Sequence, residues 1–249
     1  MRLIDIYHGF INNSAGYLSH NLIDMKPSFI YNNEINFTAG SKNYSGNLAV
    51  PEEPALLIIF SHGFNSSRYS ERNMKIAHFF NKRHIATLLV SLESVEEDLM
   101  MRDQSMRNMA DHLHAITEWA AQYPLTSELP IVYFGEGAGA DIALYAASIQ
   151  KTIVRAIICC AGRLQQAIEM PDLVQLPVLL LVSHQDKNGI ALNKLAVSHL
   201  ENGKLKIMPK VSALFEERGE LRKVADAAVK WLFKKDMLEK VFSPQQAEV

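Results

Sequence analysis

The chain has 249 residues, 48% of them hydrophobic, with a net charge of −2 and a pI near 6.5. That is enough apolar material for a large single core, and the near-neutral charge, without a Lys/Arg-rich stretch, gives no field to attract nucleic acid or an anionic membrane. No apolar run approaches the ~18 residues that span a bilayer, and the adjacent Cys159 and Cys160 suit opposite faces of one strand better than a disulfide.

Residues 1–30 lack a clear period and read as an irregular extension, with an acidic residue inside the first apolar stretch and no secretory cleavage pattern. A cytoplasmic, reducing setting is therefore the expectation. Residues 31–240 read as one domain and 241–249 as a tail. Short β-prone runs at 28–31 and 35–38, separated by Asn32-Asn33 and bounded by Gly40, predict antiparallel strands at a sheet edge. The continuous apolar run 55–60 predicts a strand buried on both faces.

From there strand and helix patterns alternate. Ile76, Phe79 and Phe80 line one face of a helix over 72–82, and 86–92 is a second buried strand. Met106, Met109, Leu113, Ile116 and Ala120 give a long amphipathic helix over 103–123. Strands follow at 129–134, 154–159, 178–183 and 205–208, with helices at 140–148, 192–200 and 220–235. The fold class is α/β: a mainly parallel sheet flanked by helices on both faces.

The segment Gly135-Glu136-Gly137-Ala138-Gly139 lies where strand 129–134 turns into helix 140–148. That is the context of a nucleophile elbow, in which a strained central residue presents its side chain and small neighbours let the helix pack closely. Here the central residue is Gly137, which has no side chain. The same glycines also match a dinucleotide-binding fingerprint, but that motif belongs to the first strand-to-helix unit and needs an acid ~20 positions later; strand 154–159 ends without one. The nine histidines show no metal-ligand spacing, and no cofactor is expected.

Over residues 34–235 the chain resembles the dienelactone hydrolase-like branch of the α/β-hydrolase family. The residues that carry the resemblance are Phe60-Ser61-His62-Gly63-Phe64-Asn65-Ser66-Ser67-Arg68, Arg72-Asn73, the elbow, Ala161-Gly162-Arg163, Leu176-Pro177-Val178-Leu179-Leu180 and Leu214-Phe215-Glu216-Glu217. The resemblance implies a nucleophile at Gly137, an acid at Asp186 and a histidine at Ala213, in that chain order. Two of the three positions hold residues that cannot perform the chemistry, and no histidine follows His199. Losing a nucleophile or histidine costs on the order of a millionfold in measured triads.

The implied function is that of a pseudohydrolase acting as a protein-binding or scaffolding component. The alternatives are a hydrolase of small esters or lactones using Glu136, His184 or Asp186, and a pseudoenzyme that binds a small anionic ligand in a remnant pocket. That pocket would comprise His62, Gly63, Phe64, Glu136, Ala138 and His184, with backbone amides beside His62 and at Ala138 serving as anion donors. For a protein partner, the segment 1–28 with Tyr7, Phe10 and Tyr17, and the Met100-Met101 pair, are the candidate anchors.

Overall fold

The computed structural model describes residues 27–62, 69–92, 106–148, 153–164, 175–213, 215, 217 and 219–242. Among them, eight strands form one sheet: β1 (Phe29–Ala39), β2 (Lys42–Pro51), β3 (Leu57–Ser61), β4 (Ala86–Val90), β5 (Ile131–Glu136), β6 (Val154–Cys160), β7 (Val178–Ser183) and β8 (Gly203–Met208). Six helices accompany them: α1 (Glu71–Asn81), α2 (Met106–Ala120), α3 (Ala138–Ser148), α4 (Lys187–Ser198), α5 (Glu220–Leu232) and α6 (Lys235–Phe242). The sheet order is β1-β2-β4-β3-β5-β6-β7-β8. β1 and β2 run antiparallel to their neighbours, and from β4 to β8 every pairing is parallel. No described helix is long and apolar enough to cross a membrane.

The strands are apolar on both sides because helices cover both faces. Within β3, Leu57 and Ile59 join a core layer with Met109, Leu113 and Ile116 of α2 and Ala140 and Ala143 of α3. Ile58 and Phe60 join a second layer with Ile76 and Phe80 of α1 and Val224, Ala228 and Trp231 of α5. Cys159 belongs to the first layer and Cys160 to the second, both as free thiols, as the two-residue strand period predicts. Buried polar groups are matched across elements: the Tyr133 hydroxyl of β5 lies 2.6 Å from that of Thr117, which in turn donates to the Leu113 carbonyl at 2.7 Å.

Three elements depart from the sequence expectation. Asn32-Asn33 does not interrupt β1, because the strand pairs with β2 along almost its whole length and this ladder overrides the turn preference of asparagine; the turn comes at Gly40, where φ is +59°. Helix α4 begins five residues before 192, because Asp186 caps it, and His199 is its C-terminal cap rather than a helical residue. The closing helix is two: α5 ends at Leu232, and α6 adds Met237, Leu238 and Val241 to the second core layer.

Phe80 is fully buried and meets Phe60 and Phe134 edge-on at centroid distances of 6.2 and 5.7 Å. Phe80→Ala is expected to lower unfolding stability by about 3–5 kcal/mol in a denaturant titration.

Candidate functional site

The end of β5 turns into α3 through one residue, Gly137, whose φ of +57° lies in the left-handed region. Its amide donates to the Cys160 carbonyl at 3.0 Å and its carbonyl accepts from the Ala140 amide at 3.2 Å, so the turn is pinned to the neighbouring strand and to its own helix. The glycines on either side are there for space. A Cβ at Gly135 would stand 2.5 Å from the Ala140 Cα, and one at Gly139 would stand 2.7 Å from the Ser61 carbonyl carbon. Among the described residues, a Cβ at Gly137 would meet nothing within 4 Å. No described residue fills the direction a side chain at the apex would take.

Charge is arranged beside this apex. Glu136, the last residue of β5, is partly buried and forms an ion pair with Arg72 in the first turn of α1. Burial raises the pKa of Glu136, and the Arg72 charge and hydrogen bond reduce that rise without cancelling it. The same guanidinium donates to the Phe215 carbonyl at 3.4 Å, linking the elbow to the loop between β8 and α5. Behind the pair, the Cys160 thiol is pushed up to about 12 by burial and then by the Glu136 charge, and burial also raises Cys159 well above the usual thiol range. Neither cysteine is a thiolate at neutral pH, so neither offers a nucleophile.

Asp186 follows β7 by three residues and accepts a hydrogen bond from the Gly189 amide at 2.8 Å, as the N-cap of α4. Asn193 of the same helix is buried and donates to the Gly162 and Gly189 carbonyls, each at 2.8 Å, tying α4 to the loop after β6. His184 is exposed, with its amide bonded to the Met208 carbonyl at 3.1 Å. Ala213 is exposed in a loop that Glu220 anchors from the start of α5. The Glu220 carboxylate accepts from the Ser212 amide at 2.8 Å, the Ser212 hydroxyl at 2.6 Å and the Glu217 amide at 3.1 Å. Ser183 adds a 2.7 Å bond to the Val211 carbonyl.

Gly137, Asp186 and Ala213 thus all follow the carboxyl ends of parallel strands, the side of an α/β sheet where ligands bind. No hydrogen bond joins the three among the described residues. Of the other sequence candidates, His62 is buried and its Nε2 donates to the Val90 carbonyl at 2.9 Å. Ala138 is exposed at the first position of α3. Gly63, Phe64, Met100, Met101 and the segment 1–26 lie outside the described residues. No group of three or more His, Cys, Asp or Glu suited to a metal occurs among the described residues. Strain gathers at these strand ends: Ala161, Leu164, Lys210 and Phe215 are non-glycine residues with φ between +51° and +56°.

The structuring roles of Arg72, Glu220 and Asn193 are not legible in the sequence, since each bonds across a gap that no local period reveals. Arg72 lies among the residues that carry the family resemblance, which is its one signal in the sequence.

Two consequences are measurable. Gly139→Ala drives a methyl group into the Ser61 backbone and is expected to destabilise the fold by about 3 kcal/mol, whereas Gly137→Ala meets only the left-handed penalty of about 1 kcal/mol in the same chemical-denaturation assay. Glu220 is 1% exposed. Burial opposes its charge, but its hydrogen bonds from Ser212 and Glu217 prevail and hold its pKa below 4.5. Glu220→Gln is therefore expected to cost about 2 kcal/mol at neutral pH. The wild-type advantage is fully present above pH 4.5 and disappears as pH falls through the lower folded value.

Comparisons with known proteins agree with this architecture. A dienelactone hydrolase from Anabaena variabilis superposes with a TM-score of 0.76 at 34% identity, covering 84% of this chain and 98% of that one. Est1E from Butyrivibrio proteoclasticus (TM-score 0.67, 15% identity, 84% and 99% covered) and an α/β hydrolase from a Penicillium species (0.67, 20%, 85% and 99%) share the fold. A Mycobacterium tuberculosis protein provisionally named a phosphoribosyl transferase is 36% identical over 200 residues, which cover 80% of this chain. The chain spans 45% of the length of that curated relative. No family model matches the chain. With the sheet order, the elbow and a hydrolase 34% identical over almost its full length, the chain belongs to the α/β-hydrolase family, in its dienelactone hydrolase-like branch.

Proposed function

We propose that this chain is a hydrolase-fold protein that does not hydrolyse esters and works as a protein-binding component. The observation that carries the first half is Gly137: at the apex of the elbow, where a nucleophile's side chain would project into open space, there is none. Covalent ester hydrolysis needs an oxygen or sulfur nucleophile, a base to take its proton and an acid to orient the base. The position that the resemblance gives to the base is Ala213, and the carboxylate at the acid position is engaged in capping α4.

The neighbouring groups are poor substitutes. Glu136 is paired with Arg72, so its attack on a substrate would break an ion pair beside the sheet. Cys160 stays protonated, with its pKa pushed up to about 12. His184 is exposed, at the position two residues before the cap. Hydrolysis through these groups is the less favoured reading.

Support for the protein-binding half comes from the curated relatives. In them the matching segment occupies less than half of a chain that carries a phosphoribosyl transferase name. The domain here works, on this view, beside a unit of that chemistry, as an attached or recruited module. A second reading, a pseudoenzyme that binds a small anion, is favoured by the open space over Gly137 at the N-terminal end of α3, where peptide dipoles stabilise negative charge.

Purified protein is expected to hydrolyse short acyl esters, thioesters and dienelactones no faster than buffer. Gly137→Ser alone is expected to stay inactive for want of a base, and Gly137→Ser with Ala213→His to show weak esterase activity. Wild-type turnover that Glu136→Gln abolishes would replace this proposal with an unconventional hydrolase. Activity from Gly137→Ser alone would show that another residue supplies the base.

A further inference from the structure

Among the described residues the sheet has two edges, and on the outer side of β8 no described strand pairs with an ordered set of backbone groups. β8 is the last strand in the sheet order among the described residues. The Val178 amide bonds to the Asn202 carbonyl and the His184 amide to the Met208 carbonyl, at 3.1 Å each, so the even-numbered peptide groups face β7. By the two-residue period of a strand, the N–H and C=O of Leu205 and Ile207 face away from the sheet, where an added strand would pair.

The side chains along this edge are equally ordered. Lys204 and Lys206 are exposed and share a strand face with Met208, which packs in the core layer of α5 and α6. Lys234, just beyond the end of α5, is the neighbour that most depresses the pKa of Lys204, through close approach and then through its charge; Lys206 adds to the effect and Asp236 opposes it. On the other strand face, Leu205 packs on the first core layer and Ile207 is 41% exposed. Edge lysines deter copies of the same strand from pairing, because like charges meet. That role does not call for a third lysine brought from another element against the first, at a cost in repulsion. An acidic strand would turn the repulsion into attraction.

We propose that the free edge of β8 receives an extended partner segment in which acidic and apolar residues alternate, added as a ninth strand. Its backbone pairs with the outward groups of Leu205 and Ile207, its carboxylates meet Lys204, Lys206 and Lys234, and its apolar residues cover Ile207. The proposal rests on the protein-binding half of the reading above and names its surface.

The test uses the full chain and a fluorescently labelled heptapeptide of alternating Glu and Val with blocked ends. Saturable binding by anisotropy, with slowed hydrogen exchange at the Leu205 and Ile207 amides, is expected. Affinity should fall about tenfold in high salt. The pair Lys204→Glu with Lys206→Glu should abolish binding with an unchanged melting temperature; if that pair fails to fold, Lys204→Gln with Lys206→Gln should weaken binding severalfold. Absence of binding at millimolar peptide overturns the proposal. So does equal binding of the Lys-Val counterpart, or binding that leaves the two amides unprotected. A native partner that still co-purifies with the folded charge variant would sink the β8 surface and leave the protein-binding reading standing. Peptide binding without any native partner would do the reverse.

Discussion

The first turn of α3 lies so close to the end of β3 that a methyl group on Gly139 would enter the Ser61 backbone. Helix and strand can approach to that distance only because Gly135 and Gly139 have no side chains, and the chain can reverse between them only because Gly137 takes a left-handed conformation. All three requirements concern the backbone. None depends on a functional group at the apex, so the elbow needs no side chain there to keep its shape, and any side chain would carry the left-handed strain. That separation between scaffold and reagent is what lets a hydrolase fold persist beside a Gly137 that cannot attack a substrate.

Hydrogen bonds and charge pairs hold the surrounding loops in place. Arg72 reaches both Glu136 and the Phe215 carbonyl, Glu220 gathers Ser212 and Glu217, and Asn193 joins two carbonyls from different loops. A partly buried carboxylate such as Glu136 is costly alone, and the guanidinium beside it offsets that cost. Asp186, the carboxylate at the acid position of the resemblance, accepts the amide of Gly189 three residues later and so caps α4.

The parts of this architecture that the sequence made legible are those governed by local pattern. The run at 178–183 is the strand it looks like, since an apolar stretch bounded by a proline and polar residues has few other fates. The elbow could be read because its glycines sit between a clear strand and a clear helix. Asn32-Asn33 does not mark a turn because pairing with β2 decides the course of β1, and the early start of α4 is hidden in the sequence because a capping aspartate looks like a loop aspartate without the Gly189 amide beneath it. The Arg72–Glu136 pair joins residues 64 positions apart, and nothing in either segment announces the other.

The most direct measurement of the central claim is the intact mass of the wild-type protein after incubation with an excess of a fluorophosphonate probe, which reports an activated hydroxyl nucleophile of the serine-hydrolase kind whatever its substrate. An unchanged mass is the expected result. A stoichiometric adduct would contradict the account, and its position after digestion would name the nucleophile that the open space over Gly137 is taken to lack.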